Sequence, residues 1–106
     1  MSGIYKYTDW GEDMNIFLSD DQIIERIASR CRARRLELEM TQSDLAHQSN
    51  LSLITIKKFE TYTPPSFKTL IAILRALGDL HLLSELMNPL EESAKSIHLG
   101  LKETYR

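Results

Sequence analysis

The stretch over residues 41–60 constrains the fold more than any other part of this sequence, because it carries the caps of two short helices with a tight turn between them. Thr41 is a good N-cap, since its hydroxyl can accept a hydrogen bond from a backbone N–H of the first helical turn. Asp44, three residues later, is a short form of the acid in a capping box. The pattern predicts a helix over residues 42–49.

A second helix follows after a short turn. Asn50 tolerates the left-handed backbone conformation that such a turn uses, and Ser52 can cap the helix that begins after it. Ile56 and Phe59 are three residues apart, so they lie on one helix face and are expected to point into the core. Two short capped helices joined in this way are typical of a helix-turn-helix.

Length and composition favour one small domain. A chain of 106 residues with 42% hydrophobic residues supports one modest core. Cys31 is the single cysteine, so an internal disulfide cannot form, which is typical of a cytoplasmic protein. The sequence has no apolar run of about 18 residues, as a membrane span would need, and its first residues lack the basic and apolar segments of a signal peptide. We therefore expect a cytoplasmic protein without a membrane span.

Basic residues are concentrated around the helix-turn-helix, although the net charge of the chain is −2. Residues 1–21 hold one lysine and five acidic residues, whereas residues 22–62 hold seven lysines and arginines against five acidic residues. This distribution gives mild support for a nucleic-acid contact. Arg30, Arg34 and Arg35 belong to the basic group and have two interpretations, a solvated helix face or contacts with phosphates.

A long helix is predicted before the helix-turn-helix. Ser19 and Gln22 have the spacing of a capping box at its start, and the helix is expected to end near Leu38. The residues predicted to form its apolar face are Ile23, Ile27, Cys31 and Leu38, with Ile24, Ala28 and Leu36 beside them. Cys31 is therefore expected to be a small buried hydrophobic residue rather than a nucleophile.

Two more helices are predicted after the helix-turn-helix. A loop with two adjacent prolines separates them from it, because proline cannot continue a helix interior. Ser66 is expected to cap the fourth helix and Gly78 to follow its end. Asp79 is expected to cap a fifth, leucine-rich helix that Pro89 closes. The predicted fold class is all-α, with five helices.

The chain is predicted to divide into one domain and two arms. Residues 19–88 form the helical domain. Residues 1–18 are rich in aromatic residues and either pack on the domain or contact a partner, and residues 4–8 can form a short strand. Residues 89–106 have apolar residues at helical spacing, which predicts a helix that packs on the same domain or forms an interface.

The sequence does not indicate catalysis, a cofactor or a metal site. His47, His81 and His98 are far apart and lack carboxylate or cysteine companions at ligand spacing. His47 is interpreted as a surface residue. Glycine-rich phosphate loops and nucleophile motifs are also missing from the sequence. We therefore expect a protein that is not an enzyme.

The order of residues in and around the 41–60 stretch resembles the lambda-repressor-like family, also called the Cro/C1 or XRE family. The matching segments are TQSDLA at 41–46, LS at 51–52, TIKKFE at 55–60, PSFKTL at 65–70 and RALG at 75–78. The resemblance covers about residues 22–78. It implies a lambda-repressor-like DNA-binding domain whose second helix-turn-helix helix enters the major groove.

The resemblance also implies which residues contact double-stranded DNA. Gln42 matches the glutamine that contacts phosphate in the family, and Thr63 is a further candidate for the DNA backbone. Leu53 and Ile54 stand where the family usually has polar residues that read bases, and they can contact only thymine methyl groups. The full set of DNA-binding candidates is Gln42, Ser52, Leu53, Ile54, Thr55, Lys57, Lys58, Thr61 and Thr63.

Two functions follow as hypotheses. The first is an autoregulatory transcriptional repressor that binds a palindromic operator as a homodimer, because one helix-turn-helix covers a single half-site. Residues 74–80 and the leucine-rich segment after them are similar to HipB-type antitoxins of toxin–antitoxin operons, which implies a kinase-fold toxin as partner. The second is a protein-interaction module that retains the fold without DNA binding, which the exposed Leu53 and Ile54 and the acidic net charge favour.

Overall fold

The computed structural model describes residues 17–90, and this part of the chain is built from helices alone. Five α-helices are present, and a 3₁₀ turn over Leu80–Leu83 precedes the last of them. The helices are α1 Asp20–Glu37, α2 Gln42–Ser49, α3 Leu53–Glu60, α4 Phe67–Ala76 and α5 Ser84–Met87. The prediction of an all-α fold with five helices is confirmed for the described residues.

Hydroxyl side chains start the first four helices, as the sequence predicted. The N-caps Ser19, Thr41, Ser52 and Ser66 each accept a hydrogen bond from the backbone N–H three residues later. The backbone N–H of Thr41 in turn donates to the carboxylate of Asp44 at 2.8 Å, which completes a capping box. Each cap satisfies a backbone donor that has no partner within its own helix, so the helix boundaries are set locally.

A left-handed residue stands at the end of each of these four helices. The residues with positive φ are Glu39, Asn50, Tyr62 and Gly78, at 59°, 59°, 73° and 77°. Such a residue lets a backbone N–H bond back to a carbonyl of the last turn and ends the helix. Only Gly78 adopts this conformation without the steric cost of a Cβ atom. Asn50 tolerates the conformation better than most residues, so the backbone strain is concentrated at Glu39 and Tyr62.

We expect the substitution Glu39→Gly to stabilise the domain by about 1 kcal/mol, because it relieves the left-handed strain at an exposed site. The matched control is Glu39→Ala, which removes the same charge and keeps the Cβ atom. Urea unfolding followed by circular dichroism measures both free energies. A glycine variant that is no more stable than the alanine variant would contradict this explanation.

The core joins residues from the first four helices and the turn after α4. Its fully buried side chains include Leu45 of α2, Ile56 of α3 and Ile73 of α4. The whole set of buried hydrophobic residues is Ala28, Cys31, Leu45, Ala46, Ile56, Phe59, Ile73, Leu74 and Leu77. The predicted inward face of the second helix of the helix-turn-helix, Ile56 and Phe59, is confirmed by this set.

The predicted apolar face of α1 is partly wrong. Ile27, Leu36 and Leu38 are all more than a third exposed. The residues that α1 buries are Ala28, Cys31 and Arg35, which have the i, i+3, i+7 spacing of one helix face. The large aliphatic residues Ile27, Leu36 and Leu38 lie beside this face and are partly exposed.

Cys31 is buried, as predicted. Burial raises the pKa of its thiol to about 11, and the negative charge of Asp79 adds to the shift. The thiol therefore stays protonated near neutral pH, which leaves it a poor nucleophile.

The segment after α4 differs from the predicted fifth helix. Asp79 makes no capping hydrogen bond to the following turn. It is buried instead, and its carboxylate lies 3.6 Å from the guanidinium of Arg34 on α1. The leucine-rich segment begins as a 3₁₀ turn and becomes α-helical only at Ser84–Met87.

The arms lie almost entirely outside the described residues. The aromatic arm over residues 1–18, its candidate strand over residues 4–8 and the tail over residues 89–106 therefore stay predictions. Among the helices that are described, none is long and apolar enough to cross a membrane.

Candidate nucleic-acid interface

The outward face of α3 carries four of the residues that the sequence proposed for DNA binding. Ile54, Lys57, Lys58 and Thr61 have the i, i+3, i+4, i+7 spacing of one helix face, and all four are exposed. Ile56 and Phe59 point the other way, into the core. The structure therefore brings these four residues together on the surface of the second helix of the helix-turn-helix. We call them the α3 face.

Three more candidates lie at the start of α3. Ser52 accepts a hydrogen bond from the backbone N–H of Thr55 at 3.1 Å, and the two hydroxyl oxygens are 2.8 Å apart. Leu53 is 36% exposed, compared with 64% for Ile54. Ser52 and Thr55 are therefore bonded to each other, and the groups that project furthest from this end of the helix are aliphatic.

Thr63 lies beside α3 in the loop that precedes α4. Its backbone N–H donates to the carbonyl of Lys58 at 2.9 Å, and its side chain is exposed. Thr55, Lys58 and Thr63 line one surface cleft of about 190 Å³. Thr61 is also exposed, although its hydroxyl donates to the carbonyls of Lys57 and Lys58 within 3.1 Å.

Gln42 is placed differently from the other candidates. Its side-chain amide donates to Oε1 of Glu60 at 3.0 Å and is partly buried. The amide therefore links the start of α2 to the end of α3, which positions the two helices relative to each other. This contact occupies one of its two N–H donors, so the side chain has a structural role that the sequence did not indicate.

An ion pair between Arg35 and Glu60 fixes α3 to α1. Two guanidinium nitrogens of Arg35 donate to the two carboxylate oxygens of Glu60, at 2.7 and 2.9 Å. A third nitrogen donates to the carbonyl of Met40 at 2.8 Å. The two side chains are 7% and 4% exposed. A bidentate pair of this kind fixes both distance and orientation.

Glu60 remains charged in spite of its burial. Burial raises the pKa of its carboxyl, but the hydrogen bonds from Arg35 and Gln42 outweigh this effect and lower the pKa below its usual value. The same hydrogen bond raises the pKa of Arg35. The negative charge at the end of α3 is thus held inside the domain beside a positive charge, where it does not oppose anion binding.

Lys57 and Lys58 supply the free positive charge of the α3 face. Neither is part of an ion pair among the described residues, and both are exposed. No acidic side chain is exposed on α3, whose one acid is the buried Glu60. The face can therefore attract phosphate groups.

The sequence offered two interpretations of Arg30, Arg34 and Arg35, a solvated helix face or contacts with phosphates. Neither interpretation is correct for Arg34 and Arg35. Arg35 is buried in the ion pair with Glu60. Arg34 is half-buried, and its Nε donates to the carbonyl of Leu77 at 3.2 Å, which ties α1 to the end of α4. Arg30 alone of the three is exposed. A charge count from sequence overstates the basic surface because it cannot separate internal from external arginines.

The helical positions of Arg35 and Glu60 could have indicated from the sequence that both side chains are buried. Arg35 follows Cys31 by four residues on α1, and Glu60 follows Ile56 by four residues on α3. Each charge therefore stands on the face that its helix turns to the core. Two opposite charges at core positions predict a buried pair, since an unpaired buried charge is very costly.

We expect the substitutions Arg35→Met and Glu60→Leu to lower the free energy of unfolding by about 3–5 kcal/mol each, because each removes the bidentate partner of a buried charge. The exposed Arg32, whose Nε is 3.8 Å from Oε1 of Glu60, compensates only weakly for the loss of Arg35. The double variant is expected to lose less than either single variant, since no charge remains buried. Glu37→Gln is the matched control, because Glu37 is paired with Arg34 at the surface and is 69% exposed. That control is expected to stay within about 0.5 kcal/mol of the native protein.

Thermal and urea unfolding measure this set of variants. A double variant whose loss equals the sum of the two single losses would show that the two side chains do not interact energetically.

Metal binding finds no support in the described residues, which hold no cluster of three or more potential ligands. His47 and His81 are exposed, in agreement with the surface position predicted for His47.

The comparisons with known proteins agree with this geometry. The family model HTH_3, described as helix-turn-helix, matches residues 32–83. The match runs from the second half of α1 to the 3₁₀ turn, so it contains the Arg35–Glu60 pair and the complete α3 face. No curated protein and no solved structure matches the chain. Residues 32–83 therefore form a helix-turn-helix domain of the XRE, or Cro/C1, type.

Proposed function

We propose that this protein is a sequence-specific DNA-binding transcriptional repressor that contacts the major groove with the α3 face. The observation that carries the proposal is the position of Lys57 and Lys58. They are exposed on the second helix of a helix-turn-helix, without an ion-pair partner among the described residues. In this motif the second helix enters the major groove, and residues in its N-terminal part face the bases.

The other candidates suit contacts with the DNA backbone. The exposed Thr63 lines the same cleft as Thr55 and Lys58, next to α3. Gln42 is the first residue of α2, where backbone N–H groups and the helix dipole favour a phosphate. Such contacts position a protein on DNA without reading its sequence.

A homodimer on a palindromic operator is part of the proposal. One α3 can read only one half-site, and a two-fold dimer doubles the contact. The candidate interface is the segment around α5 together with the tail over residues 89–106. Its exposed apolar side chains in the described part are Leu82, Leu86, Met87 and Leu90, which are between 42% and 75% exposed. Exposed apolar side chains so close together in the sequence support association through this segment.

An antitoxin role is the finer version of the same proposal. The resemblance of residues 74–80 and the following leucine-rich segment to HipB-type antitoxins supports it, and a kinase-fold toxin is the partner that it implies. Autoregulation of the operon would follow, with toxin binding tuning repression. Co-purification with the product of the adjacent gene tests this version separately from DNA binding.

A protein-interaction module is the second candidate function. Ile54 is 64% exposed at the N-terminal end of the α3 face, and an exposed aliphatic residue can dock on another protein. This alternative predicts that a partner protein, and not DNA, covers α3.

We expect Lys57→Ala and Lys58→Ala each to weaken binding to the DNA upstream of the gene and to reduce the slope of log K against log salt by about 1. The reason is that each lysine that neutralises a phosphate releases counterions on binding. Arg75→Ala is the matched control, because Arg75 is exposed at the opposite end of α4 from Thr63. Gel shifts over a series of salt concentrations measure affinity, slope and the number of protomers bound.

The control variant is expected to bind like the native protein. Native protein that binds this DNA no better than unrelated DNA, even at low salt, would overturn the repressor proposal. Capture of a partner protein that is unchanged by the lysine substitutions would then favour the protein-interaction module.

A further inference from the structure

The start of α3 presents aliphatic side chains where bases are expected to lie. Ile54 is the second residue of the helix and is 64% exposed, and Leu53 before it is 36% exposed. Ile54 shares one helix face with Lys57 and Lys58, which lie one turn further along. It does not take part in the core, whose α3 members are Ile56 and Phe59. Packing inside the domain therefore does not explain this aliphatic pair.

Hydrogen-bonding groups near this end of α3 are few and already engaged. The hydroxyls of Ser52 and Thr55 are 2.8 Å apart, so one donates to the other and the pair keeps at most one free hydroxyl proton. Thr61 donates to carbonyls of its own helix. The ammonium groups of Lys57 and Lys58 can donate but cannot accept. The α3 face therefore lacks the acceptor that a bidentate contact with adenine needs, and its lysines can donate only to acceptors such as those of guanine.

One apolar group is available on base edges in the major groove, the C5-methyl group of thymine. We propose that the start of α3 recognises C5-methyl groups of pyrimidine bases, with Ile54 as the specificity-determining residue and Leu53 beside it. This inference rests on the proposed function, because it requires α3 to lie in the major groove. The methyl group of 5-methylcytosine occupies the same ring position, so it belongs to the same ligand class.

The first and second turns of α3 have different roles in the proposed recognition. The first turn supplies apolar contact with pyrimidine methyl groups, and Lys57 and Lys58 in the next turn supply donors to phosphates or to guanine acceptors. A methyl group that moves from water into contact with Ile54 contributes affinity by burial of apolar surface. Uracil differs from thymine by that methyl group alone, so replacing one base by the other isolates the contact.

The test begins with selection of the tightest duplex from a random library of double-stranded DNA. The selected duplex is then synthesised again with deoxyuridine in place of every thymidine. Fluorescence anisotropy at one fixed salt concentration measures both affinities. Each lost methyl contact is expected to weaken binding about fourfold, so a site with two half-sites loses at least about tenfold.

Variants separate the methyl contact from other effects of deoxyuridine on DNA. Ile54→Ala is expected to bind the thymidine duplex more weakly and to bring the affinity ratio between the two duplexes close to one. The matched control Lys58→Ala is expected to bind both duplexes more weakly and to retain the ratio of the native protein. Circular dichroism confirms folding, which the substitution of the exposed Ile54 is not expected to disturb.

The outcomes distinguish this inference from the proposed function. Equal affinity of the native protein for the thymidine and deoxyuridine duplexes would overturn methyl recognition and leave DNA binding intact. Selection that enriches no duplex would overturn both and would turn Leu53 and Ile54 into candidates for a protein contact. Restoration of affinity by 5-methylcytosine at a cytosine placed against α3 would extend the inference to methylated DNA.

Discussion

The buried pair between Arg35 and Glu60 is the interaction on which the arrangement of this domain depends. It connects the end of α3 to α1, and its remaining bonds reach the carbonyl of Met40 and the amide of Gln42 at the entrance to α2. Removal of two charges from water is costly, and only complete hydrogen bonding of both groups compensates for it. One cluster thereby sets the positions of three helices, including both helices of the helix-turn-helix.

This constraint explains how an eight-residue helix can present a functional surface. A helix of this length is unstable alone in water, so α3 exists because Ile56, Phe59 and Glu60 attach it to the domain. All three attachments lie on the inner side of the helix or at its end. The outer side is therefore not needed to hold the helix in the domain, and Ile54, Lys57 and Lys58 can bind a ligand there.

How much the sequence could predict depended on how local each interaction is. The caps Ser19, Thr41, Ser52 and Ser66 were predicted correctly, because each contact spans three residues and depends on a hydroxyl at a known position. The turn at Asn50 was predicted for the same reason. The contacts of Arg35, Gln42 and Asp79 were not predicted, because their partners are 18 to 45 residues away in the chain. Helical spacing places Arg35 and Glu60 on core-facing sides, but it gives no partner for Gln42 or Asp79.

At the candidate site, too, local features could be predicted from the sequence and long-range contacts could not. The candidates Ile54, Lys57, Lys58 and Thr61 were implied by the family resemblance, and the structure places these four on one exposed face. Gln42 stays a proposed phosphate contact, but the structure adds a bond from its side-chain amide to Glu60 that the sequence did not indicate. The sequence could not show which of these polar groups remain available, since availability depends on the internal bonds that the fold makes.

The most direct test of the central claim is an NMR titration of isotope-labelled protein with a duplex that it binds. The account predicts that the largest changes in amide chemical shift occur at Ile54, Lys57 and Lys58. It also predicts that the Nε–H signal of Arg35 keeps its position, because the pair with Glu60 stays formed while α3 occupies the groove. Amide signals of α3 that do not change in the duplex-bound protein would contradict the account.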